Sequence, residues 1–214
     1  MDFLGYMENS IENLVQTIQE ICMETMEPDG IAFPPESVAG EIIKEDAEYQ
    51  GVRISFLGYL GKAKVLMRLD VGFADIVTPV PVEQEIPTVL EDMEPPCLRI
   101  YPPEMVIAEK FQTMVLLGMV NSRMKDFYDL WFIVQSMEFD FGSLKEAISN
   151  TFRQRNTPLP REIPIALTIE FAVQKQTQWE AFLKKNKLEE TPKKLVEVTQ
   201  ILTNFFEPLI SGSP

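Results

Sequence analysis

Residues 108–135, AEKFQTMVLLGMVNSRMKDFYDLWFIVQ, read as two helices joined near Gly118–Ser122. In the second helix Phe127, Leu130, Trp131 and Val134 recur at offsets of three, four and seven, one apolar face at helical spacing. Its charges are Arg123, Lys125, Asp126 and Asp129. At about 100° per residue they fall on one polar side about 160° wide. Glu109 and Lys110, on the first helix, are able to face them if the pair packs as a hairpin. The simplest reading of such charges is surface pairs worth roughly 0.2–0.5 kcal/mol each.

Upstream, Pro102-Pro103-Glu104 opens the first helix, since proline is tolerated in a first helical turn. Leu98–Ile100 is a short strand. Residues 78–96 are rich in proline (Pro79, Pro81, Pro87, Pro95, Pro96) and acids, which predicts an irregular connection with one helical turn. The clearest β signal lies further back. Val52, Ile54 and Phe56 alternate with Arg53, Ser55 and Leu57, and a Gly58–Lys62 turn leads into Ala63–Val71. Val65, Met67, Leu69 and Val71 then share one face, and Lys64, Leu66, Arg68 and Asp70 the other. Asp70 ends the strand just before Gly72, where an aspartate is ordinarily a turn former. Val38–Ile43 is a candidate strand. Ser10 to Thr25 is an amphipathic helix with Ser10 as its cap, and the chain opens like the tail of a strand.

Downstream, Ser143–Arg153 is a helix capped by its serine, and Thr157–Pro164 is a proline-rich linker. Ile169–Val173, Thr177–Lys187 and Leu195–Phe206 give further helix. Lys184, Lys185, Lys187, Lys193 and Lys194 form a basic cluster, a solvated face on the plain reading and an RNA contact on the alternative.

Composition narrows the chemistry. The 214 residues carry a net charge of −14, which opposes broad binding of polyanions but suits a local basic pocket or a basic partner. The absence of histidine removes the usual general base, the Ser-His and Cys-His nucleophiles and the commonest transition-metal ligand. Any catalysis falls to carboxylates, Lys, Tyr or a hard cation such as Mg2+. Cys22 and Cys97 lie far apart with no metal-site spacing, so a reducing compartment is expected. The acidic first twenty residues exclude a signal peptide, and no apolar run spans a bilayer. The expectation is a soluble cytoplasmic protein with no membrane partner.

Glu109-Lys110 followed by Arg123-x-Lys125-Asp126-x-x-Asp129-Leu130 resembles the helical motif of the AbiEii/AbiGii-type nucleotidyltransferase toxin family. Met67-Arg-Leu-Asp70-Val-Gly-Phe-Ala-Asp75 and Tyr101-Pro-Pro-Glu104 agree with it in order, and the similarity runs to about residue 185. The resemblance implies an α+β fold. A partial nucleotidyltransferase-like mixed sheet with helices would span residues 1–100, and an α-helical C-terminal domain residues 101–214.

It further implies NTP- and Mg2+-dependent transfer of a nucleotide to an acceptor such as RNA or tRNA, by the toxin half of a toxin–antitoxin or phage-defence system with an antitoxin partner. In such folds carboxylates on neighbouring strands hold two cations. Carried over, Asp70 matches the third acid, with Asp75 as the second choice, and Asp2 matches the second acid; Asp2 and Asp70 would be metal ligands. Lys110, Arg123 and Lys125 would grip triphosphate oxygens, and Asp126 and Asp129 would orient those cations or join Asp70 and Lys125 in the reaction. The first acid and the Gly-Ser or Gly-Gly segment before it have no counterpart in the sequence as read. Two expectations follow: a start placed at an internal methionine or a truncation, or a naturally shortened, inactive relative that serves as a nucleotide- or protein-binding module.

Overall fold

The structure is a computed structural model and describes residues 2–5, 10–26, 29–46, 49–73, 80–90 and 93–210. Asp75 lies outside the described residues. The chain divides into two compact units, Met1–Asp75 and Ile76–Pro214.

The first unit contains β1 (Asp2–Gly5), α1 (Ile11–Met23), β2 (Ile31–Ala32), β3 (Ala39–Asp46), β4 (Tyr49–Leu60) and β5 (Ala63–Phe73). The sheet runs β1-β5-β4-β2, with β3 also paired to β4. The alternating stretch forms the β4–β5 hairpin, whose turn uses Gly61 at φ +58°, a conformation that costs glycine little. β1 lies parallel to β5 while the hairpin is antiparallel, so the sheet is mixed.

Ser10 caps α1 by accepting from the Asn13 N–H at 3.2 Å. The apolar stripe of α1 then covers one sheet face: Leu14 is buried with Val38, Val52, Ile54 and Val71, and Ile11, Val15, Ile18 and Cys22 pack around them. Fully burying such aliphatic side chains contributes about 1.5–3 kcal/mol each. The helix crosses β3 closely at Gly40, where an added Cβ would lie 2.6 Å from Ile11 Cγ2.

On β5 the expected apolar face is only half used. Leu69 and Val71 join the core, whereas Val65 and Met67 stay exposed. Lengths explain this: the 13-residue helix is about 20 Å long against about 40 Å for the 12-residue β4, so it covers only part of the hairpin. On the opposite face, Arg53 stands beside Asp70 and Ser55 beside Arg68.

The second unit begins with a ribbon of β6 (Val82–Glu85) and β7 (Cys97–Ile100), antiparallel. The irregular segment expected over 78–96 therefore contains a strand. Val82-Glu83-Gln84-Glu85 follows Pro81, which needs no ladder donor, and Glu83 pairs with Arg99 across the ribbon at 3.6 Å. The helices are α2 (Pro103–Leu117), α3 (Met124–Ser136), α4 (Phe141–Gln154), α5 (Ile169–Asn186) and α6 (Leu195–Ile210).

Their core centres on Phe111 of α2, stacked on Phe206 of α6 with centroids 4.0 Å apart and 5.5 Å from Phe152 of α4. Phe127 of α3 stacks on Phe171 of α5 at 5.3 Å. Several boundaries differ from the sequence reading: α6 runs on to Ile210, and two other differences have a visible cause. α4 starts at Phe141 because Asp140, not Ser143, is the cap and accepts from the Ser143 N–H at 2.7 Å. α5 is one continuous helix: Gln176 sits mid-helix because its amide accepts from the Leu195 N–H and donates to the Lys193 carbonyl, both at 2.8 Å.

Candidate functional site

The helical hairpin holds the densest set of charged contacts. α2 stops where Gly118 takes φ +49°, and Asn121, fully buried, accepts from the Arg123 N–H at 2.9 Å. That turn starts α3 at Met124, so Asp126 and Asp129 fall three residues apart on the side facing α2, while Phe127 and Leu130 are buried. Lys110 Nζ lies 2.6 Å from Asp126 Oδ1 and 2.8 Å from Asp129 Oδ2. Lys125 Nζ reaches the same Asp129 Oδ2 at 2.6 Å. Arg123 Nε lies 2.9 Å from Asp126 Oδ2, but its N–H is not aimed along a hydrogen bond, so that contact is one of charge.

Burial grades this set. The Asp126 side chain is 6% exposed and Asp129 18%, whereas Arg123 is 56% and Lys125 73% exposed. The carboxylates are inside and two of the cations outside. Burial alone would lower the pKa of Lys110, but the hydrogen bonds and charges of Asp126 and Asp129 outweigh it and hold it above the usual lysine value. Three cations against two carboxylates leave one positive charge, in a chain that is strongly acidic as a whole. Such a cluster can receive an anion at its exposed guanidinium and ammonium without unpairing Lys110.

Glu109 does not join it. Its carboxylate accepts from the Tyr101 hydroxyl at 2.6 Å and lies 3.7 Å from Arg155. Arg155 in turn donates to Gln112 at 3.2 Å, and Gln112 to Thr157 at 2.7 Å. Sequence reasoning missed this second network. The i, i+3 spacing of Glu109 and Gln112 was visible, but partners more than forty residues away were not.

In the first unit the register pairs Asp2 with Asp70 across the parallel strands. Asp70 has a partner that sequence reasoning did not assign. Arg53, its neighbour on β4, donates from Nε to Oδ1 and from Nη2 to Oδ2, both at 2.7 Å. These bonds, aided by the charges of Arg53 and Arg68, hold the Asp70 carboxyl below its ordinary value despite partial burial. The alternation already placed Arg53 and Asp70 off the apolar face; only the hairpin register made them opposite.

A divalent cation at Asp70 does not fit this arrangement. It would stand about 4 Å from the guanidinium, where even two unit charges repel by roughly 4 kcal/mol at an effective dielectric of 20. Among the described residues no group of three or more His, Cys, Asp or Glu side chains is placed to hold a metal. Nor is any helix among them long and apolar enough to cross a membrane.

Fold and site together define an α+β protein with a helical unit whose lysine is clamped between two aspartates under a cationic surface. The family model for the nucleotidyl transferase AbiEii toxin of type IV toxin–antitoxin systems matches residues 1–203, and the chain belongs to that family. No curated protein and no solved structure matches it.

Proposed function

We propose that this protein binds a nucleoside triphosphate at the α2–α3 hairpin and transfers its nucleotide to an acceptor hydroxyl, on RNA or tRNA, as the toxin half of a toxin–antitoxin pair acting in the cytoplasm, with phage defence as the setting. The observation that carries the reading is Lys110 held 2.6 Å from Asp126 and 2.8 Å from Asp129, with Arg123 and Lys125 exposed beside it. Arg123 offers a planar fork and Lys125 a mobile point charge to phosphate oxygens. Asp126 and Asp129 keep Lys110 charged and fixed in direction.

In the transfer the acceptor oxygen bonds to the α-phosphorus as its hydroxyl proton passes to solvent, and the bond from that phosphorus to the β-phosphate bridge breaks to release pyrophosphate. Mg2+ would accompany the nucleotide and supply positive charge to its phosphates, beside the cations Arg123 and Lys125. The roles implied for Asp2 and Asp70 as metal ligands form no part of this reading. An antitoxin with a basic surface suits the acidic chain.

Calorimetry with each NTP plus Mg2+, paired with transfer of labelled nucleotide to RNA, tests the proposal. Binding that is weakened in Lys125→Ala, together with label on RNA, supports it; no binding to any NTP removes it. A second reading is favoured by the Arg53–Asp70 pair: a relative that binds nucleotide without turnover. Binding with no labelled product, for any NTP or RNA, is its signature.

A further inference from the structure

Asp70 does not end its strand, since β5 runs on to Phe73, and inside the β4–β5 hairpin it has its own counter-charge. Arg53 and Asp70 face each other in register, and the guanidinium takes both carboxylate oxygens at 2.7 Å, a fork-to-fork fit. Neither side chain is far out in water, at 33% and 22% exposure. Arg68 adds positive potential at the same carboxylate. Asp2 stands in register beside Asp70 on the parallel strand. Mg2+ asks for near-octahedral oxygen ligands at about 2.0–2.1 Å, which a carboxylate already engaged on both oxygens supplies poorly.

We propose that Arg53 occupies the place beside Asp70 that a divalent cation would take, so that this part of the sheet is neutralised by a fixed guanidinium and binds no divalent cation. Arg53 is thus a resident counter-ion, and its removal turns Asp70 into a cation-seeking group. This goes beyond the nucleotide reading, whose residues lie on α2, α3 and the turn between them.

Mn2+ is the probe, titrated into the full chain without nucleotide and followed by electron paramagnetic resonance and by thermal melting. Wild type and Asp70→Asn are expected to bind Mn2+ equally and to melt with the same Mn2+ response. Arg53→Met is expected to gain a saturable site about tenfold tighter than any in wild type, with a rise in Tm on adding Mn2+. The double variant Arg53→Met/Asp70→Asn is expected to lose both. A wild-type Mn2+ site that disappears in Asp70→Asn overturns the proposal, as does an Arg53→Met protein that gains no site. If Arg53→Met fails to fold, the comparison of wild type with Asp70→Asn decides alone.

Discussion

Lys110 of α2 and Asp126 of α3 meet at 2.6 Å across the helical hairpin, with only 20% and 6% of their side chains exposed. Breaking such a pair from one side leaves the other charge stranded. Lys110→Met and Asp126→Leu are each expected to cost about 2–3 kcal/mol, at the lower edge of what buried pairs show because Lys110 keeps some water contact. The double variant should recover part of that loss. Urea unfolding of the four proteins forms the cycle, and additive losses would contradict it.

Lys125 separates binding from folding. Its side chain is 73% exposed, and its pair with Asp129 is a surface contact at i, i+4. Lys125→Ala should change stability by less than about 0.5 kcal/mol while weakening nucleotide binding about tenfold, or roughly 1.4 kcal/mol. Calorimetry and melting on one preparation check both halves.

The two perturbed ion pairs predict opposite limbs of the stability–pH curve. Lys110 titrates above the ordinary lysine value in the folded protein, held there by Asp126 and Asp129 against the effect of burial. Its contribution is complete below that value and disappears as pH rises through the folded pKa, an alkaline loss that Lys110→Met should lack. Asp70 titrates below the ordinary aspartate value, chiefly through its hydrogen bonds from Arg53. Its contribution is complete above that ordinary value and disappears as pH falls through the folded pKa, an acid loss that Asp70→Asn should lack. Melting temperatures from acid to alkaline pH distinguish the variants.

Gly40 tests how α1 seats on the sheet. A Cβ there would meet Ile11 Cγ2 at 2.6 Å and Val15 Cγ2 at 3.1 Å, both on the helix. Gly40→Val should lift α1 and cost about 1–3 kcal/mol. Gly40→Val/Ile11→Ala should regain part of it, measured by denaturant midpoint.

Much of this arrangement was legible from periodicity. The α1 stripe, the β4–β5 alternation and the two helices of the hairpin follow from side-chain repeats that physics imposes locally. The polar side of Lys125, Asp126 and Asp129 was legible for the same reason, whereas Arg123 precedes α3 as its cap and is not placed by helical spacing. What escaped depends on distant partners. Residues 174–176 fell between two helical stretches in the sequence reading, and the partner of Gln176 lies at the start of α6. Glu109 looked like a member of the charged cluster because adjacency in sequence says nothing about rotation on the helix; Tyr101 and Arg155 settle where it goes. Arg53 was read as one polar position in an alternating strand, and only the hairpin register gives it Asp70.

The single oxygen Oδ2 of Asp129 accepts both Lys110 and Lys125. Two ammonium groups on one atom also repel each other across it. On the proposed reading, an anion that drew Lys125 outward would relieve that repulsion and leave Lys110 held more firmly across the seam. Occupancy at the surface and rigidity of the hairpin would then be thermodynamically linked, each a report on the other.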